Sequence, residues 1–177
     1  AINSFGENLK TQINHEARDL LGADLEISSR TPIPDEVKHR LDSLQLTYIE
    51  EVNFASMAFF PKSEETRLVH VRAVEPGFPF YGELVTHPDS IDKTFKNATA
   101  SLIDQTLALQ FNTLPGNKVR IGSIDFEIKG NVVSVPGQSE ITTTVAPPVF
   151  IPLETLPETG LLQLGSRMLY HIYVKYP

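Results

Sequence analysis

Residues 46–74 read LTYIEEVNFASMAFFPKSEETRLVHVRAV, and the fold class turns on this stretch. Leu46, Tyr48, Val52, Phe54, Ala58 and Phe60 share one parity, interrupted by Glu50 and Ser56. Val69, Val71 and Ala73 share one face of a second run, opposite Leu68, His70 and Arg72. Successive side chains of a strand point to opposite faces, so each alternating run predicts a strand with one buried face. Pro61-Lys62-Ser63-Glu64-Glu65 between them is a charged turn, which makes the pair a long β-hairpin.

Upstream, Ile2, Phe5, Leu9, Ile13, Ala17, Leu20 and Leu21 recur at three- and four-residue steps. That spacing predicts an amphipathic helix of about 20 residues, and Gly22 supplies its C′ stop. The apolar stripe is narrow, which suits a stalk or a packed surface helix. Leu25 and Ile27 alternate with Asp24, Glu26 and Ser28 as a short strand. Pro32 and Pro34 break the chain. Pro34 suits the first turn of a second helix, with Asp35 and Glu36 complementing its dipole. Val37, Leu41 and Leu44 are expected to form the buried face of that helix.

Downstream, Pro76 to Gly82 is irregular and aromatic. Ser101 to Ile103 predicts a brief strand, and Gln105 to Phe111 has helical spacing through Leu107 and Phe111. Lys118–Ile121 and Ile124–Lys129 read as strands around the Gly122-Ser123 turn, the second extended by Val132, Val133 and Val135. Gln138 to Pro148 is polar and Thr-rich, a loop or an exposed edge strand. Val149–Ile151 is a strand, and Leu153–Leu156 is at most one helical turn. Met168, Tyr170, Ile172 and Val174 alternate through a closing strand. The class is α+β: a ferredoxin-like outer lobe of helix, strand, helix, long hairpin and closing strand, interrupted by a mostly-β lobe. The expected division is a stalk-like helix over residues 1–22, an outer lobe over 23–81 and 161–177, and an inserted lobe over 82–160.

Composition narrows the function. The 177 residues carry a net charge of −7 with no basic cluster, which excludes a phosphate backbone, and hence nucleic acid, as a partner. The absence of cysteine removes disulfides, thiolate catalysis and cysteine-ligated zinc. No stretch approaches the roughly 20 apolar residues that cross a bilayer. The best candidate, Val145 to Leu153, is short and holds three prolines. The chain starts at Ala1 without Met or a leader pattern, so a processed protein or an excised piece of a longer chain is expected.

The usual chemical constellations are missing from the sequence. His15, His39, His70, His87 and His171 stand at no metal-ligand spacing and read as ordinary surface or strand residues. Gly165-Ser166-Arg167 is not a nucleophile elbow. A triad would have to assemble from distant segments, with Ser166 and His171 the residues to test. Glu50 and Glu51 are adjacent on a strand, so they point to opposite faces and cannot act as an acid–base pair. Glu64-Glu65 tips the hairpin, and Pro115-Gly116 is a turn rather than a phosphate loop. Phe59, Phe60, Phe78, Phe80 and Tyr81 either line an apolar binding surface or pack in the core, the commoner use. No catalytic, cofactor-binding or metal-ligating residue is assigned, and partner-binding residues are unknown.

Four blocks, in order, carry a resemblance to a known family. Leu20-Leu21-Gly22-Ala23-Asp24-Leu25-Glu26-Ile27-Ser28-Ser29 is similar to the segment after the first transmembrane helix of FtsX-like permeases. Val69 to Val74, then Phe78-Pro79-Phe80-Tyr81-Gly82-Glu83-Leu84, resembles the next block of the large permeases named together with lysophospholipase. Leu102 through Leu109, Pro115 to Gly122 and Phe126-Glu127-Ile128-Lys129-Gly130 are similar to the G-D-x-[IVL]-x-[IVL]-G…F-x-[IVL]-x-G signature of the MacB-like periplasmic core domain. Asn117 stands where that signature has Asp, which affects turn chemistry. Thr159-Gly160-Leu161, Gly165-Ser166-Arg167 and the strand ending Tyr173-Val174-Lys175 complete the order.

The resemblance implies the extracytoplasmic domain of an ABC-transporter permease of the bacterial inner membrane, facing the periplasm. Such a domain is not an enzyme and needs no cofactor. It works with a cytoplasmic ABC ATPase through the parent permease, and with a periplasmic protein or a lipid-like substrate. In the family the closing strand is followed by a further helix and strand, so part of the outer lobe is expected to be missing after Pro177. The residues alone leave a free-standing periplasmic hydrolase or a secreted binding module as alternatives.

Overall fold

Helix α1 (Ile2–Leu21) ends where expected, with Gly22 in the left-handed region (φ 72°) and its N–H on Arg18 O at 2.7 Å. The computed structural model describes residues 2–89, 91, 99–138, 144–163 and 166–177. The side chains of Ile2, Phe5, Leu9 and Ile13, much of the expected stripe, fall outside the described set. Every described side chain of α1 is exposed.

Strand β1 (Leu25–Ser29) is followed by α2 (Asp35–Ser43), β2 (Thr47–Phe60) and β3 (Glu65–Val74). Pro34, in extended geometry, sits just before α2, with Asp35 and Glu36 in the first turn and Arg40 in the last. Leu41 is buried and Val37 partly buried against Ile172 and Val174. Leu44, expected on that buried face, is instead 55% exposed. The helix stops at Ser43 and Leu44 is its cap, so the helical periodicity no longer applies to it. The hairpin has the expected parity: Val52, Phe54, Ala58 and Phe60 are buried together with Val69, Val71 and Ala73.

The remaining elements are β4 (Val85–His87), β5 (Ala100–Asp104), α3 (Gln105–Gln110), β6 (Lys118–Ile121), β7 (Ile124–Ser134), β8 (Pro148–Pro152), a 3-10 helix (Leu153–Thr159) and β9 (Leu169–Lys175). The 3-10 helix runs past the single turn that Leu153–Leu156 predicts, and Gly160 in the left-handed region caps it. Strand β4 is not marked in the sequence at all. Of the polar stretch from Gln138 to Pro148, residues 139–143 lie outside the described set.

The described strands form one mixed sheet, ordered β1-β9-β2-β3-β8-β5-β7-β4, with β6 bridging β2 and β7. Strand β9 pairs antiparallel with β1 and β2, so the closing strand joins the hairpin sheet as expected. Beyond it, β3 pairs in parallel with β8, which carries the sheet from the expected outer lobe into the expected insert. Following β2, β3, β8, β5, β7 and β6 back to β2 traces a closed circuit of hydrogen-bonded strands. The base of the hairpin therefore belongs to an open α+β sheet and its tip to a barrel-like closure. Such closure removes strand edges that would otherwise be left unpaired.

The main core fills that circuit. Phe54, Phe60, Val71, Ile121, Phe126, Ile128 and Ile151 point inward, with Leu107 and Phe111 of the α3 region closing one side. Phe60 stacks on Phe111 at 4.3 Å between ring centroids. Burying one such side chain is worth about 1.5–3 kcal/mol. Gly122 makes the β6–β7 turn possible. Its φ is 59°, and a Cβ there would stand 2.2 Å from Thr159 O.

Candidate functional site

The hairpin's other face is the unusual one. Alternation assigns Ile49, Glu51 and Asn53 of β2 to it, together with His70 and Arg72 of β3 and His171 and Tyr173 of β9. Read from the sequence, these are the solvent side. In the structure Glu51 is 1% exposed and Asn53 7%. Three segments cover them: the end of α1, the loop around Phe78 and Phe80, and the turn at Pro136-Gly137-Gln138. Gly137 fits against α1 because it has no side chain; a Cβ there would stand 2.1 Å from Leu20 O.

Beneath the cover the charges are paired. Arg72 donates through Nε to Glu51 Oε1 and through Nη2 to Oε2 at 2.9 Å. Tyr173 Oη donates to the same Oε2 at 2.6 Å. The guanidinium lies between the Phe78 and Phe150 rings, 5.0 Å from each centroid. Burial by itself raises the Glu51 pKa, but Arg72's charge and the donated hydrogen bonds outweigh it and hold the carboxyl below its ordinary value. Burial likewise works against the Arg72 cation, and Glu51 more than offsets it. Burial first, and Glu51's charge second, push the Tyr173 hydroxyl far up. Tyr173 is thus a fixed donor, not an acid, and Glu51 has no basicity to spare. The trio is a clamp joining β2, β3 and β9.

Beside it, Glu26 Oε1 meets His171 Nδ1 at 2.6 Å, and the His171 ring stacks on Tyr173. The two adjacent glutamates diverge as strand geometry requires. Glu50 faces the other way and pairs with Lys38 at 2.9 Å.

A second cluster fixes α1 to the sheet. Asp24 Oδ1 pairs with Arg18 Nε at 2.8 Å, while Oδ2 accepts from Tyr81 Oη at 2.7 Å and from the Tyr176 N–H at 2.8 Å. Burial acts to raise the Asp24 pKa, but these two hydrogen bonds and the charges of Arg18 and Lys175 bring it below its ordinary value. One carboxylate therefore ties the end of α1, the aromatic loop and the end of β9 together.

The residues considered from sequence now have places. Ser166 Oγ donates to Leu161 O at 3.0 Å and accepts from the Gln163 N–H, whereas His171 Nε2 is buried without a partner. The structure does not join these two. Gly165 lies outside the described residues. Phe60 is core, Phe59 lies under Arg120, and Phe78 and Phe80 pack on Ala23, Ile49 and Tyr173. Among the described residues no three metal-ligating side chains converge.

Comparison with known proteins follows the same line. No protein-family model matches the chain. It is 23% identical over 168 residues, 95% of its length, to an uncharacterized ABC transporter permease, YbbP, of Escherichia coli K12. It spans about a fifth (20%) of that relative. Its fold matches the extracellular domain of the noncanonic ABC-type transporter YknZ from Gram-positive bacteria, with TM-score 0.54 and 14% identity over 86% of this chain and 84% of that one. A domain of a putative permease from Porphyromonas gingivalis gives TM-score 0.51 at 14% identity, over 73% of this chain and 61% of that one. The resemblance to extracytoplasmic domains of ABC-type permeases holds, and the fold is theirs. None of these matches bears on the association with lysophospholipase.

Proposed function

We propose that this chain is the extracytoplasmic domain of an ABC-type permease of the bacterial inner membrane, facing the periplasm. It relays motion from a cytoplasmic ABC ATPase to a periplasmic protein or a lipid-like substrate, and it turns over no substrate itself. The division into a stalk-like helix, an outer lobe and an inserted lobe belongs to this reading. The observation that carries it is the Asp24 junction. Through Arg18, Tyr81 and the Tyr176 N–H it couples any displacement of α1 to the aromatic loop and to β9, which runs in the same sheet as the barrel strands. Among the described residues no helix is long and apolar enough to cross a membrane. The fold of the YknZ extracellular domain supports the same placement.

Spin labels at His15 on α1 and Leu109 on α3, both exposed, test the relay in the parent permease assembled with its ATPase. ATP should change the distance between the labels, and Asp24→Ala should abolish most of that change while leaving ATP hydrolysis in place. A distance indifferent to nucleotide, or a full response in the Asp24→Ala protein, counts against the relay.

A further inference from the structure

Between the charged row and its cover lies a cavity of about 380 Å³, the size of a small-ligand site. One wall is apolar and is formed by Leu20 at the end of α1, Phe78 and Pro136. The facing surface carries Asn53, His70 and Arg72, and Gln138 closes one side.

The polar groups here fall into two sets. Arg72 and Glu51 neutralise each other, and Glu26 Oε1 is taken up by His171 Nδ1, so the ionisable groups at the cavity already have partners. A second set is unspent. Asn53 is more than nine-tenths buried, yet neither its side chain nor that of His70 makes a hydrogen bond among the described residues. Gln138 Oε1 is buried with no partner. A buried polar atom left unpaired is destabilising, so the Gln138 oxygen calls for an occupant, and the Asn53 and His70 side chains have hydrogen-bonding capacity left to share it. Burial and the neighbouring Arg72 charge keep the His70 ring uncharged at neutral pH. All three side chains thus donate and accept while carrying no charge.

That inventory discriminates between ligands. A carboxylate would find Arg72 already occupied by Glu51, and an ammonium would find both nearby glutamates paired. An uncharged group with a donor and an acceptor side by side can use Asn53, His70 and Gln138 together. We propose that this cavity binds an uncharged carboxamide carrying a short apolar substituent, with the amide against Asn53, His70 and Gln138 and the substituent against Leu20, Phe78 and Pro136. This stands apart from the transport reading. The test needs only the 177-residue chain in solution, and its failure leaves the relay untouched.

Three probes of nearly equal size separate the possibilities: N-acetylleucinamide, which is neutral, N-acetylleucine, which is anionic, and leucinamide, which is cationic. NMR titration should show the neutral probe shifting the Asn53 and Gln138 side-chain amides and the His70 ring. Its Kd should be on the order of 1 mM, as befits a ligand of so few atoms. The two charged probes should bind roughly fivefold more weakly or worse, and Asn53→Leu should weaken the neutral probe by about the same factor. Should Asn53→Leu fail to fold, Leu20→Ser serves instead, because Leu20 is 65% exposed and its loss does not open the core. Absence of these shifts at about 30 mM neutral probe overturns the assignment, since a millimolar site would then be nearly saturated. Equal binding of all three probes, or binding unchanged in both variants, overturns it as well.

Discussion

The two faces of the β2–β3 hairpin are buried by different means. On one, Phe54, Phe60, Val71 and their neighbours are enclosed by strands that close a circuit around them. On the other, Glu51, Arg72 and Tyr173 are enclosed by two loops and the end of a helix. An apolar face is held by area removed from water and by close packing, so it tolerates small changes in proportion to volume. A charged face under a low-dielectric cover is held by mutual neutralisation, so it responds to whether the set is complete. The first arrangement builds the fold. The second fixes where three strands and a cover meet, and it is also the region that contains the cavity.

That contrast is most easily broken at Glu51. Glu51→Leu alone leaves the Arg72 guanidinium buried between two phenyl rings without its counter-ion, and it should destabilise the domain by about 3–5 kcal/mol. Adding Arg72→Met should recover most of the loss, because both desolvated charges are then gone. Urea unfolding of the two single variants and the double variant gives the coupling directly. If the double variant is as unstable as the sum of the singles, the clamp is not a charge pair in the energetic sense.

The apolar face should behave otherwise. Ile121 is fully buried in the circuit, and Ile121→Val removes a single methylene. The expected loss is about 0.5–1.5 kcal/mol, with the slope of the unfolding curve against urea unchanged. A loss of the size expected for Glu51→Leu would mean that closing the circuit is far less forgiving than packing alone implies.

Which of these faces can be read from the sequence follows from the same physics. The hairpin, β1, α2, α3, β6, β7 and β9 are legible because periodicity is a local signal, strong enough in the hairpin to survive the breaks at Glu50 and Ser56. The closure is not, since β6 meets β2 at only two residue pairs, Ala58 with Ile121 and Phe59 with Arg120, more than sixty positions apart. Nor is β4, whose three residues are too few to show a period. The charged row escapes for another reason. Glu51, Asn53, His70 and Arg72 occupy the parity that alternation assigns to solvent, and their cover comes from residues 78–81 and 136–138. One clue was present: Glu51 and Arg72 are an acid and a base on the same face of the two strands. With the turn in register they fall diagonally across the pair, since Asn53 stands opposite Arg72 and Val74 opposite Glu51.

The smallest expected effect sharpens the comparison through pH. His70 is partly buried beside the clamp. Burial, then the charge of Arg72, lower its pKa from the ordinary 6.5, against the opposing pull of Glu51, with His171 adding a further lowering. A histidine whose folded pKa lies below its unfolded value takes up its proton first in the unfolded chain. Its contribution is therefore complete above about pH 6.5 and is lost as pH falls through the lower folded value. Glu51 and Asp24 have the same sign, but their windows open only below the ordinary carboxylate values of 4.5 and 3.8. The urea midpoint of the native protein should accordingly begin to fall near pH 6.5, ahead of the carboxylates. In His70→Gln that early limb should vanish while the later acid limb remains, so subtracting the two profiles isolates the one histidine facing the clamp from β3. An early limb that survives in His70→Gln would assign it to another group and remove His70 from the account.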